Sequence, residues 1–79
     1  MKIPVIKSLV ESFDIEQLSL AEEDLLEGKA PAIGIEGEDE GEQLTHVFAA
    51  RYILHAMQQG KEFKEALREF TGKVRSSLS

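Results

Sequence analysis

Between Glu36 and Glu42 the chain reads EGEDEGE, five carboxylates interrupted by Gly37 and Gly41, and His46 follows Glu42 by four residues. Closely spaced carboxylates suit a hard cation, and an imidazole adds a ligand for a transition metal. Two metal readings follow. In the first, Glu36, Glu38, Glu40 and Gly41 take places one, three, five and six of a calcium loop of EF-hand type. Such a loop uses the shorter Asp or Asn early and a bidentate Glu at place twelve. Here that place is Val47, a residue whose pattern points it into the core, so the main ligand is missing. In the second reading Glu42 and His46, neighbours on a helix, form a carboxylate–imidazole pair. Two ligands are too few for zinc, and His55 falls on the opposite face of the same helix. The spacing also differs from the Glu-x-x-His of di-iron bundles. Glu42 and His46 stand as the metal candidates beside a plainer reading, an i, i+4 pair near a helix start. That reading puts His46 on an apolar face and hydrogen-bonds it to nearby backbone or carboxylate groups. Glu42 would favour its charged form and burial the neutral one, so a pH-sensitive contact is a further option.

The same stretch can start a helix. Asp39 is a cap residue with Glu42 in the third helical position, a carboxylate version of the capping box. Acids in a first turn each stabilise a helix by roughly 0.3–1 kcal/mol, but five exceed what capping needs and repel one another. Glu36, Glu38, Asp39 and Glu40 are therefore the candidate surface for a basic protein partner. Catalysis has little to build on: there is no Cys nucleophile, no Gly-rich phosphate loop and no zincin motif. Ser8 and Ser19 have no evident base, Ser76, Ser77 and Ser79 close the chain, and no partner is pinned opposite the loop acids. The expectation is a protein that is not an enzyme and needs no cofactor.

The elements that position these residues read as helices. Ile3, Ile6, Leu9, Val10 and Phe13 recur at three- and four-residue steps, and Pro4 suits a first turn, which predicts a helix over about 4–12. Asp14 with Gln17 forms a capping box for a second helix over about 15–27, with Ile15, Leu18, Ala21, Leu25 and Leu26 inward, Glu22, Glu23 and Asp24 outward, and Gly28 as its left-handed stop. Residues 28–38 form an acidic, partly extended loop. Pro31 pushes Ala30 toward an extended conformation, and Ile33 and Ile35 tie the loop to the core. From the Asp39 cap to Gly60 apolar residues nearly surround the axis, with Arg51, His55, Gln58 and Gln59 as a narrow polar stripe, which marks a central, buried helix. A last helix over about 62–77 carries Phe63, Ala66, Leu67, Phe70, Val74 and Leu78, with Gly72 inside it and Lys73 and Arg75 complementing its dipole. The predicted fold is all-α: one small domain, residues 1–79, a compact bundle of four helices.

Composition narrows function further. The net charge is −6, with 12 acids and 4 bases in residues 1–60 and 3 acids and 5 bases in residues 61–79. Such a chain repels phosphate backbones, which argues against nucleic-acid binding. The start, MKIPVIKSLVESFD, lacks the features of a secretory signal, and the longest uncharged apolar window, 43–60, is broken by Arg51. With no Cys, the expectation is a cytoplasmic protein with no membrane span and no disulfide or thiolate metal site. A chain this short covers a very apolar central helix only sparingly, so self-association as a homodimer is the other expectation.

The segments IPVIKSLVE (3–11), GEDEGEQLTHV (37–47) and FKEALREFTGKVR (63–75) resemble a family of short bacterial proteins of unknown function. Those proteins are of about this length, so the resemblance spans the chain. It implies a free-standing bacterial protein and brings no catalytic residues with it. The functional expectation is a small acidic protein-interaction or self-associating module. The alternative is a metal- or small-ligand-binding protein using the loop acids, Glu42 and His46.

Overall fold

The computed structural model describes residues 2–78, with side chains described as far as Lys73. Val74, Arg75, Leu78 and the closing serines, assigned roles above, lie outside the described side chains. Four helices follow in chain order: α1 (Ile3–Ser12), α2 (Ile15–Leu26), α3 (Glu40–Gln58) and α4 (Phe63–Leu78). No strand occurs among the described residues. The all-α bundle expected from the periodicities is present, and its helix limits lie within one or two residues of the predicted ones.

Local chemistry explains those limits. Asp14 accepts a hydrogen bond from the Gln17 amide at 2.8 Å, and the Gln17 side chain accepts from the Asp14 amide at 3.1 Å, closing the predicted capping box. Gly28 ends α2 at φ 77° and Gly60 follows α3 at φ 100°, a conformation in which any side chain would crowd the backbone. The amides of Lys29 and Lys61 then reach back to the carbonyls of Asp24 and Ala56, satisfying acceptors the helix ends would otherwise leave open. α1 has no side-chain cap; its N-cap residue is Lys2, and Pro4 sits in its first turn.

Packing is organised around α3, which touches α1, α2 and α4 while these three meet one another little. The core joins Ile6, Leu9 and Val10 of α1, Leu18, Ala21 and Leu25 of α2, Val47, Ala50 and Ile53 of α3, and Ala66 and Phe70 of α4. Ile35 is buried against this core and Ile33 partly so, which fixes the 28–38 loop as expected. The Cα radius of gyration is 11.9 Å, close to the ~11.6 Å of a compact chain of this length.

Several side chains depart from the expected pattern, Leu26, Glu22 and Phe48 among them. Leu26 is 65 % exposed rather than inward, because Leu25 takes the inward place and successive helical residues point about 100° apart. Glu22 is half-buried rather than on the solvent side, held by Arg51 of α3. Phe48 of the central helix is 44 % exposed, because α2 and α4 flank α3 there without closing over it.

Candidate functional site

The acidic stretch is bound to α3 along its backbone. The Asp39 carboxylate accepts from the Glu42 amide at 2.7 Å, as a cap should. The Glu42 carboxylate reaches the amide of Glu38 at 3.2 Å, one residue earlier than a regular capping box. Gly37 is pressed against Gln43: a Cβ at position 37 would stand 2.8 Å from the Gln43 nitrogen and 2.7 Å from its Cγ. Only glycine fits so close an approach. With the backbone fixed this way, Glu36, Glu38, Asp39 and Glu40 are exposed and Glu42 is half-buried.

His46 lies beneath this loop and is the one polar residue among the fully buried side chains of the described chain. Its Nε2 accepts from the backbone amide of Lys2 at 2.9 Å, and its Nδ1 is 2.7 Å from the carbonyl oxygen of Glu36. A carbonyl only accepts and an amide only donates, so the ring is neutral, with its proton on Nδ1. The sequence reading had His46 hydrogen-bonded to neighbouring groups, and the backbone supplies both. One partner lies ten residues away and the other forty-four, so no spacing rule could have named them. Glu42 accepts from the Glu38 amide, whereas His46 bonds the Lys2 amide and the Glu36 carbonyl. A metal at His46 would have to displace one of these backbone bonds, and among the described residues no group of three or more His, Cys, Asp or Glu is disposed to hold an ion. Val47 is fully buried, as the failed calcium pattern required.

An open apolar hollow lies on the other side of α3. Leu26 and Phe48 share a hollow of about 440 Å³ with Leu44, Phe70, Thr45 and Glu22. A second hollow of about 240 Å³, lined by Ile15, Arg51, Tyr52 and His55, continues past Phe48. Leu26 meets Leu44 near the start of α3, while Ile15 meets His55 near its end, so α2 runs antiparallel to α3 along one wall. Phe48 contacts Phe70 of α4 at 5.8 Å between ring centroids, and Tyr52 contacts the same ring at 5.5 Å. The result is a trough between α2 and α4 with Phe48 as its floor.

Ion pairs brace both walls. Arg51 Nε lies 2.9 Å from Glu22, and its guanidinium carbon stands 5.7 Å from the centre of the Phe48 ring. On the α4 side, Tyr52 donates to Glu69 at 2.8 Å, Lys61 pairs with the other oxygen of that carboxylate, and Lys73 stands over the Tyr52 ring. The Lys61 hydrogen bond, with that of Tyr52 after it, holds the Glu69 carboxyl below its ordinary range, and the same bond to Glu69 raises the Lys61 ammonium above its own. His55 is exposed, as expected. Sequence reasoning missed the trough. Its trace was the polar stripe itself: Arg51 and His55, three and seven residues beyond Phe48, put that ring on the same open face.

No helix among the described residues is long and apolar enough to cross a membrane. No curated protein and no solved structure matches the chain. Over residues 1–79 it matches a family of unknown function, DUF6952, in keeping with the resemblance drawn from its three segments. The chain belongs to the DUF6952 family.

Proposed function

We propose that this protein is a docking module that receives one basic amphipathic helix of another protein in the trough over Phe48. The observation that carries this reading is that Leu26 and Phe48, 65 % and 44 % exposed, line one hollow between two helices. An apolar channel walled by two helices is what a helix-in-groove partner needs. Charge selects the partner's polar face. α2 carries Glu16, Glu22, Glu23 and Asp24 with no basic residue, and Glu16 and Glu23 are exposed. The exposed loop acids Glu36, Glu38, Asp39 and Glu40 stand around the first turn of α3, one turn from Leu44 and Thr45 at the end of the trough. A basic helix relieves the mutual repulsion of these acids and is drawn toward them over distance.

A second copy of the chain is the competing occupant. Each copy carries −6, and a two-fold contact through this face sets acid-rich surfaces close together. Charge therefore favours a different, basic protein. The reading assigns no catalysis and places the protein in the bacterial cytoplasm, a setting that rests on the family resemblance and suits a cysteine-free chain.

The test is a titration with a short synthetic amphipathic helix, Leu on one face and Lys on the other. Phe48→Ser should weaken binding about tenfold or more, and added salt should weaken it further. Equal affinity for wild type and Phe48→Ser would remove the trough from the reading.

A further inference from the structure

We infer that His46 is an acid-sensitive latch that holds the start of α1 and the 28–38 loop against α3 only while its ring is neutral. The geometry leaves no place for a second ring proton. Nδ1 already donates to the Glu36 carbonyl, and Nε2 faces the Lys2 amide, which is itself a donor. A proton on Nε2 puts two N–H groups head to head at a site with no exposure to water. A buried charge with an unpaired donor is costly, so the charged ring turns out toward solvent and both backbone tethers open together.

The charged groups nearest the ring along the chain are the Lys2 ammonium, beside the bonded amide, the carboxylates of Glu36 and Glu38 on the loop, and that of Glu42 one turn earlier on α3. α2 and α4 present Leu18, Ala21, Leu25, Ala66 and Phe70 to the core, none of which is charged. A second ring proton removes the Nε2 acceptor that the folded state uses, so the two tethers hold at neutral pH and give way as pH falls. The elements released are the first turn of α1, which has no side-chain cap of its own, and the loop that carries the exposed acids.

The experiment compares the thermal midpoints of wild type and His46→Gln between about pH 7.5 and 5.5, a window that contains imidazole titration and lies above that of ordinary carboxylates. Gln offers one donor and one acceptor but takes up no proton. The wild-type midpoint should fall by roughly 5 °C or more across the window, while that of His46→Gln stays nearly level. The exposed control His55→Gln should follow wild type. Parallel curves for wild type and His46→Gln would overturn the proposal. Should His46→Gln fail to fold, nitrogen spectra of the wild-type ring decide the matter. They should show the Nδ1–H tautomer at neutral pH, with about a tenfold loss of Lys2 amide protection on acidification. A ring already carrying two protons at neutral pH, or protonated on Nε2 alone, would overturn it equally.

Discussion

Phe48 of α3 rests against Phe70 of α4 with ring planes tilted at 53°, yet Phe48 is 44 % exposed and Phe70 only 3 %. One ring is core and the other is half surface, so truncating them should have unequal costs. Phe70→Ala should cost about 3–5 kcal/mol, the range for emptying a buried aromatic site. Phe48→Ser, which already loses part of its ring to water, should cost about 1–2 kcal/mol and leave the fold intact. Denaturant unfolding of both variants measures the difference. Equal losses would mean that Phe48 is a core residue and that the trough is closed.

Two glycines should respond to alanine in opposite ways. At position 37 a Cβ collides with Gln43, so Gly37→Ala should destabilise by roughly 1–3 kcal/mol and loosen the loop. At position 72, inside α4, nothing lies within 4 Å of a Cβ. Gly72→Ala should therefore stabilise by about 0.5–1 kcal/mol through helix propensity. Thermal melts of the two variants check the signs.

The Glu69 pairing sets a pH dependence separate from that of His46. A carboxyl held below its ordinary range adds stability that is present above the unfolded value and lost as pH falls through the lower folded value. The advantage of wild type over Glu69→Gln should thus be full at neutral pH, begin to fall near the ordinary carboxylate range at about pH 4 and be gone only below the lowered folded value. At the alkaline end it should persist through the ordinary lysine range and disappear as pH rises through the raised Lys61 value. High salt should reduce it throughout, since both groups meet water. Melts of the two proteins against pH and salt follow the difference.

Divalent ions should leave the protein indifferent. His46 has both ring nitrogens bound to backbone, and Asp39 and Glu42 each hold an amide with one carboxylate oxygen. Millimolar calcium, magnesium, manganese or zinc should not raise the melting temperature. A rise would show that the folded chain binds the ion and would return the loop acids, Glu42 and His46 to consideration as ligands.

What could be read from the sequence was what is local. The Asp14–Gln17 box, the Asp39 cap and the stops at Gly28 and Gly60 each involve residues a few positions apart, and all are present. Leu26 was misplaced because Leu25 and Leu26 are adjacent: an apolar stripe accommodates both on paper, but the contact with α3 takes only one. The exposure of Phe48 depends on the spacing of α2 and α4, which no single helix encodes. The partners of His46 are the backbone of Lys2 and Glu36, and backbone groups carry no residue-type signature. The acidic stretch was legible in part. Asp39 and Glu42 start a helix as expected, whereas the close approach of Gly37 to Gln43 appears only once the loop is folded.

The docking reading meets its most direct test in living cells. A photo-crosslinking residue placed at position 48 or 26 faces the trough, and one at Leu20, 55 % exposed elsewhere on α2, serves as the control. Sequencing the crosslinked segments identifies the occupant. The account predicts that positions 48 and 26, but not 20, capture a segment of another protein with basic residues flanking an apolar helical stripe. Capture of a second copy of this chain, or equal capture from position 20, would contradict it.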